Sequence, residues 1–160
     1  MAVHIVTVCL WLGGMGFLAL VVVPVTRRPA LRSLAPRLVL ETGMRFRSVG
    51  WTCLAVLLIT GAFNLYCRGF GATELLSPWF WRTDFGFALL LKLALFAFVL
   101  ALSAVHDFAI GPRASALLIA DPESAAALRY RRTAGWMGRL NALLALAIVW
   151  LAVVLVRGWP

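Results

Sequence analysis

The sequence predicts an all-α protein, a four-helix transmembrane bundle, on three observations. Hydrophobic residues make up 63% of its 160 positions and the mean hydropathy is +0.96, more apolar than a water-soluble domain of this size. Four apolar runs, Val3 to Val25, Val49 to Tyr66, Gly86 to Val105 and Leu140 to Val156, are each near the about 20 residues that cross a bilayer as helix. The net charge of +9 is concentrated between runs rather than spread over them. Together these describe one integral membrane domain covering residues 1–160, with spans at about 3–25, 49–66, 86–105 and 140–156 and the lipid bilayer as its first partner.

The first run lacks a basic leader and a small-residue cleavage site, so it reads as a retained span rather than a signal peptide. Its Gly13, Gly14 and Gly16 allow close helix approach, either inside the bundle or to a second copy. The connection that follows holds Arg27, Arg28, Arg32, Arg37, Arg45 and Arg47 against Glu41. Pro36 can open a helix there, and Arg37, Glu41 and Arg45 repeat at i, i+4 along one face. The second span leads to a nearly neutral connection containing Trp79-Phe80-Trp81, an aromatic girdle or a surface-lying turn.

The third span runs to His106, and the Arg-rich connection after it carries Arg113, Arg129, Arg131, Arg132 and Arg139. Asp121-Pro122-Glu123 reads as a helix start, with an acid cap, Pro in the first turn and an acid at the positive end of the dipole. One helix from Pro122 to about Val156 would then extend about 50 Å, with its first turns outside the membrane. By the positive-inside rule both Arg-rich connections are cytoplasmic and both termini lie outside. The same charge attracts anionic lipid headgroups. No aromatic-basic recognition motif accompanies it, which argues against nucleic acid.

The stretch Arg45-Phe-Arg-Ser-Val-Gly-Trp51 matches Tyr130-Arg-Arg-Thr-Ala-Gly-Trp136 at an offset of 85. Two parallel helix-pair repeats with cytoplasmic helical extensions account for the match. A shared Arg-Gly-Trp pattern at two membrane entries accounts for it as well.

Chemistry, if any, rests on His4, Lys92 and His106, because ionisable side chains cost several kcal/mol in hydrocarbon unless partnered. His4 belongs at the outer end of span 1, and Lys92 about 9 Å below the outer surface of span 3. His106 falls about 21 Å further along the same helix. Lys92, Phe96, Val99, Ser103 and His106 fall on one stripe, which should face into the bundle. The two histidines, at opposite surfaces, cannot be the two axial ligands of one haem within one chain. Either would need Met15, an open position or a group from another subunit.

Haem b suits the chain better than copper: it takes an imidazole, an apolar slot and cations for its propionates. His106 with Arg113, or His4 with Lys92, supplies an imidazole and a cation at one side. Copper sites in membranes favour thiolate or thioether clusters, whereas Cys9, Cys53 and Cys67 are scattered. The three cysteines read as apolar fillers, with Cys67 alone at the outer rim. Each polar residue also has a plain reading: solvated at a helix end for His4, paired with Asp107 at a helix C-terminus for His106, snorkelling for Lys92. Asn64 and Asn141 suit interhelical hydrogen bonds.

His4 with Trp11-Leu-Gly-Gly14 and Pro24, then Lys92-Leu-Ala-Leu through His106-Asp107-Phe and Gly111-Pro112-Arg113, resembles the small four-helix members of the copper-resistance D (CopD) family. The same frame is similar to HemJ-type protoporphyrinogen oxidases. The first resemblance implies copper homeostasis in the inner membrane. The second implies b-type haem and protoporphyrinogen oxidation, with His4 and Lys92 at the matching functional positions. Pro24 and Val25 stand where the HemJ pattern has an Arg and an aromatic-rich stretch, and no Met or Cys ladder of a copper transporter is present. The sequence reading is a CopD-like membrane protein with a redox cofactor, held by His106, His4, Lys92, Arg113 and Met15, with His106 and His4 as metal ligands. The alternative from another class is a non-catalytic accessory or scaffold subunit of a larger complex or a homo-oligomer. Whether the protein is an enzyme stays open.

Overall fold

A computed structural model describes residues 1–31 and 33–158; Arg32 of the first basic connection and residues 159–160 lie outside the described residues. Four helices are long and apolar enough to cross a membrane: α1 Ala2–Val25, α2 Ala35–Tyr66, α4 Asp84–Ala120 and α5 Ala125–Arg157. A short α3, Ala72–Leu76, lies in the connection between α2 and α4. No strand occurs among the described residues.

Helix ends explain the boundaries. Pro36 sits in the first turn of α2, as expected, and the helix continues unbroken to Tyr66. There the chain turns through Gly69, whose φ of +84° suits glycine. The amides of Gly69 and Phe70 close that end on the carbonyls of Tyr66 and Leu65, at 2.9 and 3.3 Å. The Thr83 hydroxyl caps α4 by accepting from the Gly86 amide at 3.0 Å. Gly86 is tucked so close to the Phe80 carbonyl that a Cβ there would run into it. Phe70, Phe80, Trp81 and Phe85 form a contiguous aromatic cluster over this end, and the Trp81 indole donates to the Leu75 carbonyl at 2.9 Å.

One expected boundary is corrected. The start at Asp121-Pro122 is displaced to Ser124, whose hydroxyl accepts from the Ala127 amide at 3.2 Å and donates to the Asp121 carbonyl at 2.9 Å. Asp121 is spent on a local turn, its carboxylate taking the Glu123 amide at 3.2 Å. The helix that holds the third span continues past Val105 to Ala120, through Gly111 and Pro112. A π turn over His106–Ile110 makes this possible: the Gly111 amide reaches back to the His106 carbonyl, and the wider turn accommodates the proline that follows.

The same device occurs in α1, where a π turn over Leu18–Val22 precedes Pro24. The two π turns, and the two prolines, are each 88 residues apart. At that spacing Trp11 matches Val99, both core residues, and His4 matches Lys92. The same π-turn-and-proline device thus recurs in α1 and α4, at a spacing of 88 rather than 85. The two Arg-to-Trp segments differ: Trp51 is half-buried and hydrogen-bonded, whereas Trp136 is 67% exposed.

α1 packs along α2 and α4 along α5; α1 also touches α5, and the end of α4 beyond the π turn touches α2. Trp11, Cys53, Leu54, Leu57, Val99 and Ala145 form the buried centre. Most of the apolar surface faces outward, as at Leu20, Ile59 and Leu143, which suits a lipid solvent. Assembly therefore depends on close fit at small residues, such as Gly14 against the Phe46 ring and buried Gly50 and Ala145. Cys9, expected as filler, faces outward, while Cys53 is buried.

Candidate functional site

The most organised polar cluster is built on the π turn of α4. His106 Nδ1 lies 2.8 Å from Asp107 Oδ1, and the Trp51 indole donates to Asp107 Oδ2 at 3.0 Å. With the Asp107 carboxylate as acceptor Nδ1–H is the donor, which in a neutral imidazole leaves the Nε2 lone pair for a ligand. Arg47, one turn before Trp51 on α2, donates to the Asp107 carbonyl at 3.4 Å. Its guanidinium stacks 5.6 Å from the centre of the Phe108 ring. The Trp51 and Phe108 rings are 5.7 Å apart and complete an apolar flank. The His106 side chain is 36% exposed and Asp107 20%, so the imidazole is oriented by a sheltered acid yet remains reachable.

One turn toward the bundle centre, the Asn141 amide donates to Ser103 Oγ at 3.1 Å and lies 3.9 Å from Met15 Sδ. The expected Asn141 interhelical bond is thus formed; no such bond of Asn64 is found among the described residues. Asn141 Oδ1 is buried without a hydrogen-bond partner. Met15 is engaged here rather than at His106.

At the other end of the bundle His4 Nδ1 lies 2.7 Å from Thr60 Oγ1. The Thr60 hydroxyl proton is directed at the Val56 carbonyl, 2.6 Å away, so its oxygen accepts from Nδ1–H and His4 also presents Nε2. Half-buried Lys92 and the chain's amino group are within electrostatic range of this ring. Arg68 is within range of Lys92. Its guanidinium donates to the Leu155 carbonyl at 3.3 Å and flanks the Phe85 ring at 5.9 Å. This end holds cations around an imidazole.

The expected stripe on α4 does point inward: Val99 and Ser103 are buried, and Lys92, Phe96 and His106 half-buried. Along it Lys92 and His106 are separated by about 21 Å of helix, and on α2 Thr60, the partner of His4, and Trp51, the partner of Asp107, by about 14 Å. The packed core of Trp11, Leu54, Leu57 and Val99 lies between. The structure therefore forms two single-imidazole sites. Arg113 is exposed beyond the π turn, with no side-chain partner among the described residues. The sequence reading did not single out Arg47, Trp51, Thr60 and Arg68. Arg47 and Trp51 are four apart on a helix, a shared face that the Arg-to-Trp segment already displays. Thr60 carried no signal, because a lone threonine in an apolar span usually bonds its own helix.

Among the described residues no three His, Cys, Asp or Glu side chains converge on a point where a metal ion would fit. The family described as copper resistance protein D matches residues 40–155 of this chain. A protein of Aquifex aeolicus (strain VF5), described only as uncharacterized, is 31% identical over 158 residues, which cover 98% of this chain and 92% of the relative. No solved structure matches the chain.

Proposed function

This chain belongs to the copper resistance protein D (CopD) family, and on that premise we propose that it is an inner-membrane component of copper homeostasis that carries b-type haem on His106. Both termini lie outside in this reading, with the His106 end of the bundle at the cytoplasmic surface. The observation that carries it is the Trp51–Asp107–His106 chain, which fixes the imidazole tautomer and aims Nε2 outward, as acids do behind metal-bound imidazoles.

The residues present fit the group. His106 would hold the haem iron, the Trp51 and Phe108 rings would supply an apolar wall, and Arg47 or the exposed Arg113 a cation for a propionate. Bound haem supplies one-electron redox chemistry. Asp107 holds the Nδ1 proton, and Arg47 and Trp51 keep the acid in place. At the opposite end Lys92 and the amino group place positive charge near His4, with Arg68 in turn near Lys92, which opposes the entry of a free copper cation there and suits an anionic group. That charge favours a redox role over a copper permease.

The absorption spectrum of the purified protein tests the reading, with a Soret band that shifts on reduction as the expected result. His106→Ala should lose the band while the protein stays monodisperse in detergent. Loss in His4→Ala with retention in His106→Ala would move the site to the Lys92 end. A second reading has its own observation: Gly13 and Gly16 leave open space beside α1, a face on which a partner helix could pack. A featureless spectrum with no bound metal would favour that accessory-subunit reading.

A further inference from the structure

A groove of about 710 Å³ runs along the first four turns of α5, lined by Leu128, Arg129, Arg132, Thr133, Trp136 and Met137. We propose that this groove binds an anionic phospholipid, its phosphate between the guanidinium groups of Arg129 and Arg132 and its acyl chains over Trp136 and Met137. The site is independent of the haem reading. Only the assignment to the cytoplasmic leaflet rests on the topology given above.

Charge, depth and wall chemistry agree on the occupant. Among the described residues the one ion pair is His106–Asp107, and the side chains of Arg129 and Arg132 have no hydrogen-bond, ion-pair or ring partner. Both are exposed on one helix face, three residues apart and therefore neighbours at about 5–6 Å. The nearest acids in sequence, Asp121 and Glu123, lie before the helix, and the Asp121 carboxylate is engaged with the Glu123 amide. Two unpaired cations in one groove call for an anion.

Depth selects which anion. Trp136 is exposed at the end of the polar segment, and Arg139 stacks on its ring at 5.3 Å, a typical interfacial arrangement. Arg132 lies about 6 Å of helix beyond Trp136 and Arg129 about 10 Å. The headgroup layer is about 5–8 Å thick on each side of the hydrocarbon, so Arg132 sits at phosphate level and Arg129 at its outer border. Met137 begins the apolar wall on the hydrocarbon side. A soluble anion would gain nothing from that wall; a phospholipid is matched by both ends of the groove.

The test is lipid titration of the full chain in detergent, read by native mass spectrometry, with phosphatidylglycerol and phosphatidylcholine as probes. Each guanidinium near the surface should be worth about fivefold, so Arg129→Gln/Arg132→Gln should weaken phosphatidylglycerol binding roughly twentyfold and leave phosphatidylcholine unchanged. The control, Arg37→Gln/Arg45→Gln, removes the same charge from exposed positions on α2, outside the groove, and should cost less than threefold. Equal loss in both pairs would reduce the effect to general charge and overturn the site, as would no loss in the groove pair. A lipid-free dimer that the groove pair dissociates would assign the groove to a second copy and also overturn it. Should the glutamine pair misfold, Arg129→Lys/Arg132→Lys keeps the charge and must retain phosphatidylglycerol preference, or the proposal fails.

Discussion

Asp107→Asn is the substitution that most directly probes the His106 cluster. Two donors converge on this carboxylate, the Trp51 indole at 3.0 Å and His106 Nδ1–H at 2.8 Å. Asparagine offers one accepting oxygen and one donating amide, so the two donors can no longer both be satisfied. The cheapest repair moves the imidazole proton to Nε2, letting Nδ1 accept from the new amide. That repair restores the hydrogen-bond count but blocks the nitrogen that would hold a ligand. The stability cost is then the lost charge assistance, about 1 kcal/mol for each of two bonds. With the two side chains 20% and 36% exposed, the sum falls to about 1–2 kcal/mol. At about 2–4 °C per kcal/mol for a chain of this size, the melting temperature in detergent should fall by about 2–8 °C.

Nitrogen-15 NMR of labelled histidine reads the tautomer directly, and His106→Ala assigns the signal. The native chain should show Nδ1–H and the Asp107→Asn variant Nε2–H, with cofactor affinity down by about 10–100-fold. Trp51→Phe is the companion: it removes one donor, keeps the carboxylate, and should leave the tautomer unchanged for about 1 kcal/mol of stability. An Asp107→Asn variant that keeps Nδ1–H at full stability would refute the reasoning, because the carboxylate would then not be holding the ring.

Other substitutions test the frame around the sites. Gly86→Ala places a Cβ against the Phe80 carbonyl, which is backbone and cannot rotate away, so folded yield in detergent should drop sharply; native yield and melting would sink the proposed packing of that turn. Gly14→Ala meets only the Phe46 ring, so a cost of about 1–3 kcal/mol should be largely relieved in Gly14→Ala/Phe46→Leu, as thermal melts of the four proteins would show. Asn141→Leu/Ser103→Ala removes a buried amide whose Oδ1 has no partner, and should be neutral or stabilising by up to about 1 kcal/mol; a loss above 2 kcal/mol would mean that the amide oxygen is engaged in the working protein. Cys67 is exposed at the end of α2 while Cys53 is buried, so an impermeant thiol reagent added to intact cells should label Cys67 and spare Cys53. Labelling of Cys67 only after permeabilisation would invert the topology.

The sequence by itself determined the membrane class, the number of spans and the inward stripe of α4. Each follows from run length and helical period, and lipid leaves no alternative to a closed backbone hydrogen-bond ladder. The helix of α2 from Pro36 was legible for the same local reason. Local chemistry also misled: Asp121 and Pro122 form a plausible cap, yet Ser124 three residues on caps the helix while Asp121 closes a turn of its own. Gly111-Pro112 is compatible with either an end or a continuation, and a π turn absorbs the proline so that α4 continues to Ala120. Backbone repair of that kind has no sequence signature. Only the tertiary structure decided which residues complete the two histidine sites, because Arg47 and Trp51 reach Asp107, and Thr60 reaches His4, across more than fifty positions of sequence. Helical periodicity gives the angle a side chain takes about its own axis; which neighbouring helix meets it is set by close packing at small residues such as Gly14 and Gly50.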